Sequence, residues 1–154
     1  MQHVKRILAT LLALCFGAAI AVAHGVKTRT IEVVHPWTFG ASAGDDINVC
    51  MKIKNIGRRD DRLVRAQTPL ATSVSLVEPV PAAPQGSRTV QAIGVKAGQH
   101  AELALSGQSI LLRGFKKPLS PYDTFTLSLV FEKAGRIDVE VLVEEGSVAE
   151  QSKK

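Results

Sequence analysis

Residues 47–54 read INVCMKIK, and every second side chain is apolar. Ile47, Val49, Met51 and Ile53 fall on one side of an extended chain, with Asn48, Cys50, Lys52 and Lys54 on the other. Successive side chains of a strand point to opposite faces, so this period of two predicts a strand with one buried face. FTLSLVF (125–131) repeats the pattern through Phe125, Leu127, Leu129 and Phe131, and RIDVEVLV (136–143) through Ile137, Val139, Val141 and Val143. Shorter candidates lie at 29–35, 62–66, 72–77, 88–95, 101–105 and 108–112. Turn signals such as Ala43-Gly44-Asp45, Asn55-Ile56-Gly57 and Lys133-Ala134-Gly135 separate them. No stretch after residue 24 sustains a helical period. About nine short strands at this spacing predict an all-β, antiparallel Greek-key β-sandwich. PVPAAPQGS (79–87) is the least regular stretch and reads as a mobile loop.

The 154 residues divide before any fold is considered. Lys5 and Arg6 precede an apolar run from Ile7 to Ile20, and Ala21-Val22-Ala23 follows. A positive start, an apolar centre and an A-x-A close are the parts of a secretory signal peptide, expected to be cut between Ala23 and His24. Leu12-Ala13-Leu14-Cys15 is a poor lipidation box, because Leu14 is too large for the position before the cysteine. The expected division is a signal peptide at 1–23, a sandwich domain at 24–144 and a polar tail at 145–154. Periplasmic localisation follows from the signal, with no membrane span after its cleavage.

Composition narrows the function. Losing Lys5 and Arg6 lowers the formal charge from +5 to +3, and no basic run is interleaved with aromatics, so nucleic acid is not an expected partner. Cys50 is the single cysteine of the mature chain, which excludes an internal disulfide. Asp45-Asp46 and Asp60-Asp61 sit in turn contexts where aspartate accepts local backbone hydrogen bonds. Neither pair has a histidine partner, and no nucleophile elbow or phosphate loop occurs, so the chain is not expected to be an enzyme.

Several segments together resemble the periplasmic copper chaperones of the PCu(A)C family: HPW (35–37), VCMKIKNIG (49–57), DDRLV (60–64), TPLATSVSLVE (68–78), LRGFKKPLSPYDTFTLSLVFEKAG (112–135) and IDVEVLV (137–143). The resemblance implies a cupredoxin-like sandwich, in agreement with the alternation. It further implies the carrying of Cu(I) and help in building the Cu(A) centre of cytochrome oxidase. A copper-handling or oxidase-assembly protein would then be the partner.

The ligand set that the resemblance implies is missing. In GQSILLRGF (107–115) the family's histidine and the methionine two residues later correspond to Ser109 and Leu111, and a further methionine to Arg113. The earlier histidine corresponds to Val77 and the loop methionine to about Ser87. Cu(I) is a soft ion that takes thioether, thiolate or imidazole donors. Valine, leucine and a serine hydroxyl offer none of these, and Arg113 carries a permanent positive charge. No cofactor is expected at the family positions, and the Ser109/Leu111/Arg113 face is expected to be open to solvent or to a partner, with Leu111 beside Phe115 as a contact patch.

Copper binding elsewhere stays open. After cleavage, His24 would present a free amine and an imidazole, and His35 a third nitrogen. Met51 reads as core filler, Cys50 as a half-buried inert thiol, His100 as exposed and Trp37 as packed at the core edge. His35, before Pro36, is expected to shape a strand end. Three readings follow: a carrier with a relocated site, a metal-free interaction module, and a structural or scavenging domain for a small ligand.

Overall fold

A computed structural model describes residues 25–146 and contains strands, turns and no helix among them. Eleven strands run in chain order: β1 (Val26–Lys27), β2 (Ile31–Phe39), β3 (Ile47–Asn55), β4 (Asp61–Gln67), β5 (Ser73–Val80), β6 (Ala83–Thr89), β7 (Ile93–Val95), β8 (His100–Leu103), β9 (Ser109–Arg113), β10 (Thr124–Phe131) and β11 (Gly135–Glu144). The hydrogen-bonded path is β6-β5-β9-β3-β2-β11-β10-β4-β7, with β1 on β2 and β8 on β3. Folded over, this path makes the two layers of a cupredoxin-like sandwich.

Alternation does the folding. The inward residues of β3, β10 and β11 named above are all buried, and they join Ile31, Val33, Leu63, Ile110, Leu112 and Phe115 in one continuous core. Burying one such side chain contributes roughly 1.5–3 kcal/mol. Strand β3 is shared between layers: Ile47 to Val49 pair with β9, and Met51 to Lys54 pair with β8.

Four expectations change. Every pairing is antiparallel except β2–β11, which is parallel through Trp37↔Leu142 to Phe39↔Glu144. The stretch 79–87 is not a loop: β5 and β6 form a hairpin with Val80 paired to Ala83. The candidate at 88–95 is two strands, because the chain leaves β6 after Thr89 and resumes at Ile93. His35 does not end β2. The strand continues through a bulge between Val34 and Trp37, with His35 at a φ of 51° and Pro36 where no ladder N–H is needed.

The signal peptide, its cleavage point and His24 lie outside the described residues, as does the tail beyond Gly146. Among the described residues no helix is long and apolar enough to cross a membrane.

Candidate functional site

The positions singled out by the resemblance converge on the outer face of the β5–β9–β3 layer. Val77 and Ser109 are cross-strand partners, as are Ser75 and Leu111 one step along. On the other flank Leu111 pairs with Asn48. Three of the four positions are therefore neighbours. Ser87 stands apart on β6, exposed and opposite Pro79.

This face is closed, not open. Relative exposure is 4% at Val77, 2% at Ser109 and 7% at Leu111, and Phe115 is fully buried. The expected solvent-facing patch is thus absent, and Leu111 with Phe115 makes no contact surface. The Ser109 hydroxyl donates to Asn48 Oδ1 at 3.0 Å, while the Thr38 hydroxyl donates to the Asn48 carbonyl at 2.9 Å. A buried hydroxyl needs such a partner, and Asn48 supplies it. Arg113 points out of the closed region, and its charge is matched by Asp46 at 3.0 Å. Its positive charge is therefore not aimed unbalanced at the positions that the resemblance singles out.

A cleft of about 320 Å³ opens beside Asn48, lined by Phe39, Asp45, Asp46 and Leu105 among others. Its carboxylates are occupied. Asp45 accepts from the Ser42 N–H at 2.8 Å, and Asp46 accepts from the Gly114 N–H at 2.9 Å besides holding Arg113. Asp45 staples its own turn, as its context predicted, whereas Asp46 ties the start of β3 to the turn after β9, 68 residues along the chain.

The remaining donors are scattered. Met51 is core, and it is the one methionine among the described residues. Cys50 is fully buried rather than half-buried, and burial, with the Glu144 carboxylate as a smaller cause, pushes its thiol up to about 12. Lys52 and Lys54 do not activate it: they pair with Glu102 and Glu32. His100 is exposed on β8. His35 Nε2 lies 2.7 Å from Glu144 Oε1, and its ring sits 6.5 Å from that of Trp37, which is half-buried and packs edge-on against Phe39 at 5.1 Å. Among the described residues no three His, Cys, Asp or Glu side chains gather as a metal site.

Two residues escaped the sequence reading. Asn48 was visible only as an outward position of β3, and its link to Ser109 depends on the β3–β9 register. Glu144 closes on His35 because β11 runs parallel to β2, a pairing with no local signature.

A family model named for LpqE-like lipoproteins matches residues 31–143, nearly all of the described domain. The chain belongs to the LpqE-like family, within the PCuAC copper-chaperone group. Solved PCuAC domains share its fold. The apo PCuAC domain from PmoF1 superimposes with a TM-score of 0.70 at 23% identity, over 80% of this chain and 100% of that one. The copper-bound PCuAC domain from PmoF2 gives 0.67 at 25% identity, over 80% and 99%. The Cu(I) form of DR1885 from Deinococcus radiodurans gives 0.59 at 25% identity, over 77% and 83%. No curated protein matches this LpqE-like sequence. The group is one of metal carriers rather than enzymes, and copper is the ion that PmoF2 and DR1885 hold.

Proposed function

We propose that this LpqE-like chain is an exported, periplasmic, non-catalytic member of the copper-handling group that does not grip Cu(I) at the inherited positions Val77, Ser87, Ser109 and Leu111. It acts as a metal-free module on a copper-handling or cytochrome oxidase Cu(A)-assembly partner, after loss of a signal peptide at 1–23. The observation that carries this reading is the Val77–Ser109 pair. Where a carrier needs two soft donors side by side, an alkyl group faces a hydroxyl already committed to Asn48.

The test is a Cu(I) titration of the purified chain followed by NMR. The amide and methyl signals of Val77, Ser109 and Leu111 are expected to stay in place, and stoichiometric shifts at these residues would end the reading. Deletion under copper limitation is expected to lower oxidase activity; unchanged activity would remove the link to Cu(A) assembly.

A second reading, copper held at the mature N-terminus, is favoured by one local feature. A Cβ at Gly25 would come within 2.6 Å of the Val33 carbonyl, so the backbone entering the domain runs against β2 just before His35. His24 is one peptide bond upstream, and Glu144 already sits on His35. Trp37 is the sole tryptophan, so its fluorescence reports on His35. Quenching by Cu(II) that disappears when the mature amine is acetylated supports this reading, and quenching indifferent to acetylation rejects it.

A further inference from the structure

The fold gathers cations that the sequence keeps far apart. Four turns meet at one end of the sandwich: 28–30 before β2, 56–60 after β3, 96–99 before β8 and 132–135 between β10 and β11. Hydrogen bonds tie them together. The Ile56 N–H donates to the Thr30 carbonyl at 2.8 Å, the Asn55 N–H to Gln99 at 2.9 Å and the Gly98 N–H to the Asn55 carbonyl at 3.0 Å. The Lys133 ammonium donates to the Asp60 carbonyl at 2.6 Å.

Two buried polar residues hold this end rigid. Asn55, 2% exposed, donates from its amide to the carbonyls of Arg59 and Val95 and accepts from the Gly57 N–H. Asp61, 7% exposed, accepts from the N–H groups of Arg62, Lys133 and Ala134. Asp60 takes the Ala97 N–H. Asp61 is thus turned inward on three backbone donors, while Asp60 stays exposed and accepts from one.

The cations stay at the surface, Lys133 with its ammonium on the Asp60 carbonyl. Lys27, Arg29, Arg58, Arg59, Lys96 and Lys133 are exposed, and none belongs to the ion pairs found among the described residues. Arg62 and Arg136 nearby are neutralised by Glu132 and Asp138. Ile56, one of few large apolar side chains left exposed, stands among the free cations.

We propose that this end of the sandwich docks on an anionic lipid bilayer. Cations spread over four rigidly joined turns suit a broad sheet of negative headgroups, and Ile56 suits the shallow apolar layer beneath them. The chain's own sequence places a bilayer at hand. Until the expected cleavage after Ala23, the apolar run of the export signal ends at Ile20, nine residues before Arg29 and about 30 Å away when extended, so export itself brings this end against a bilayer. The inference is independent of whether copper binds.

The experiment is co-sedimentation of the purified chain with phosphatidylcholine vesicles, with and without phosphatidylglycerol, at low and high salt. Binding is expected only to the anionic vesicles and to fall with salt. Each cation near such a surface is worth roughly 1 kcal/mol, so Arg58→Ser with Arg59→Ser is expected to weaken partitioning about thirty-fold. The control, Lys116→Ser with Lys117→Ser on the turn after β9 at the opposite end, is expected to bind as the parent does. Circular dichroism checks that both variants fold. Failure to sediment with anionic vesicles, equal binding to neutral ones, an equal loss in the control, or capture by an acidic protein without lipid binding would each overturn the proposal.

Discussion

Val77 and Ser109 face each other across the β5–β9 ladder, one 4% and the other 2% exposed. Val77 has no donor atom, and the Ser109 oxygen, whose hydrogen goes to Asn48, is a hard donor that suits a soft metal poorly. Restoring donors is therefore expected to create a site. Val77→His, Ser109→His and Leu111→Met together are expected to confer Cu(I) binding in a chelator competition assay, with none in the parent chain. Enlarging closed positions costs about 1–3 kcal/mol each, so the variant is expected to melt at a lower temperature. Equal Cu(I) affinity in parent and variant would contradict the assignment.

Cys50 is expected to be silent towards a thiol reagent at neutral pH and to react only on unfolding. Its thiol is raised from an ordinary 9.0 to about 12, so the folded chain keeps a proton that the unfolded chain releases. The sign follows by linkage: this contribution to stability is complete below pH 9 and is lost as pH rises towards about 12. The difference in urea midpoint between the parent and Cys50→Ala is accordingly expected to shrink between neutral pH and pH 10.5 (roughly mid-window). A constant difference would contradict it.

Asn55→Ala strips the buried Val95 carbonyl and the partly buried Arg59 carbonyl of their donor. A loss of about 3 kcal/mol is expected from urea unfolding, because stranded buried polar groups cost about 1–3 kcal/mol each. A loss below about 1 kcal/mol would show that water replaces the amide.

Phe115→Ala empties a fully buried position whose ring meets Phe125 at a centroid distance of 5.1 Å. The expected cost is about 3–5 kcal/mol. The Phe115 backbone also bonds Gly44 and Asp45, so the turn before β3 is expected to lose proteolytic protection at the same time.

The layers were legible in the sequence because alternation is local: Ile47 to Ile53 and Phe125 to Phe131 declare their inward side without help. What lies over the outward side is not local. Ser109 and Leu111 were placed on the correct face, yet that face proved closed, because alternation separates two sides without saying what packs on each. The hairpin at Val80–Ala83 was hidden by prolines, which an edge strand tolerates where its N–H would point away from the ladder. The basic end was illegible for the same reason: Arg29, Arg58, Lys96 and Lys133 come together only through β-strand register.

Strand β3 alone is bonded on both flanks to partners from both layers, with β2 on one side and β9 followed by β8 on the other. Its amide protons are consequently the ones that escape to deuterium last, since freeing them requires both layers to come apart at once. Asn48 and Asn55 lie on that same strand, so the closed face and the cationic end share a single cooperative opening unit: disturbing one is felt as a change in the lifetime of the other.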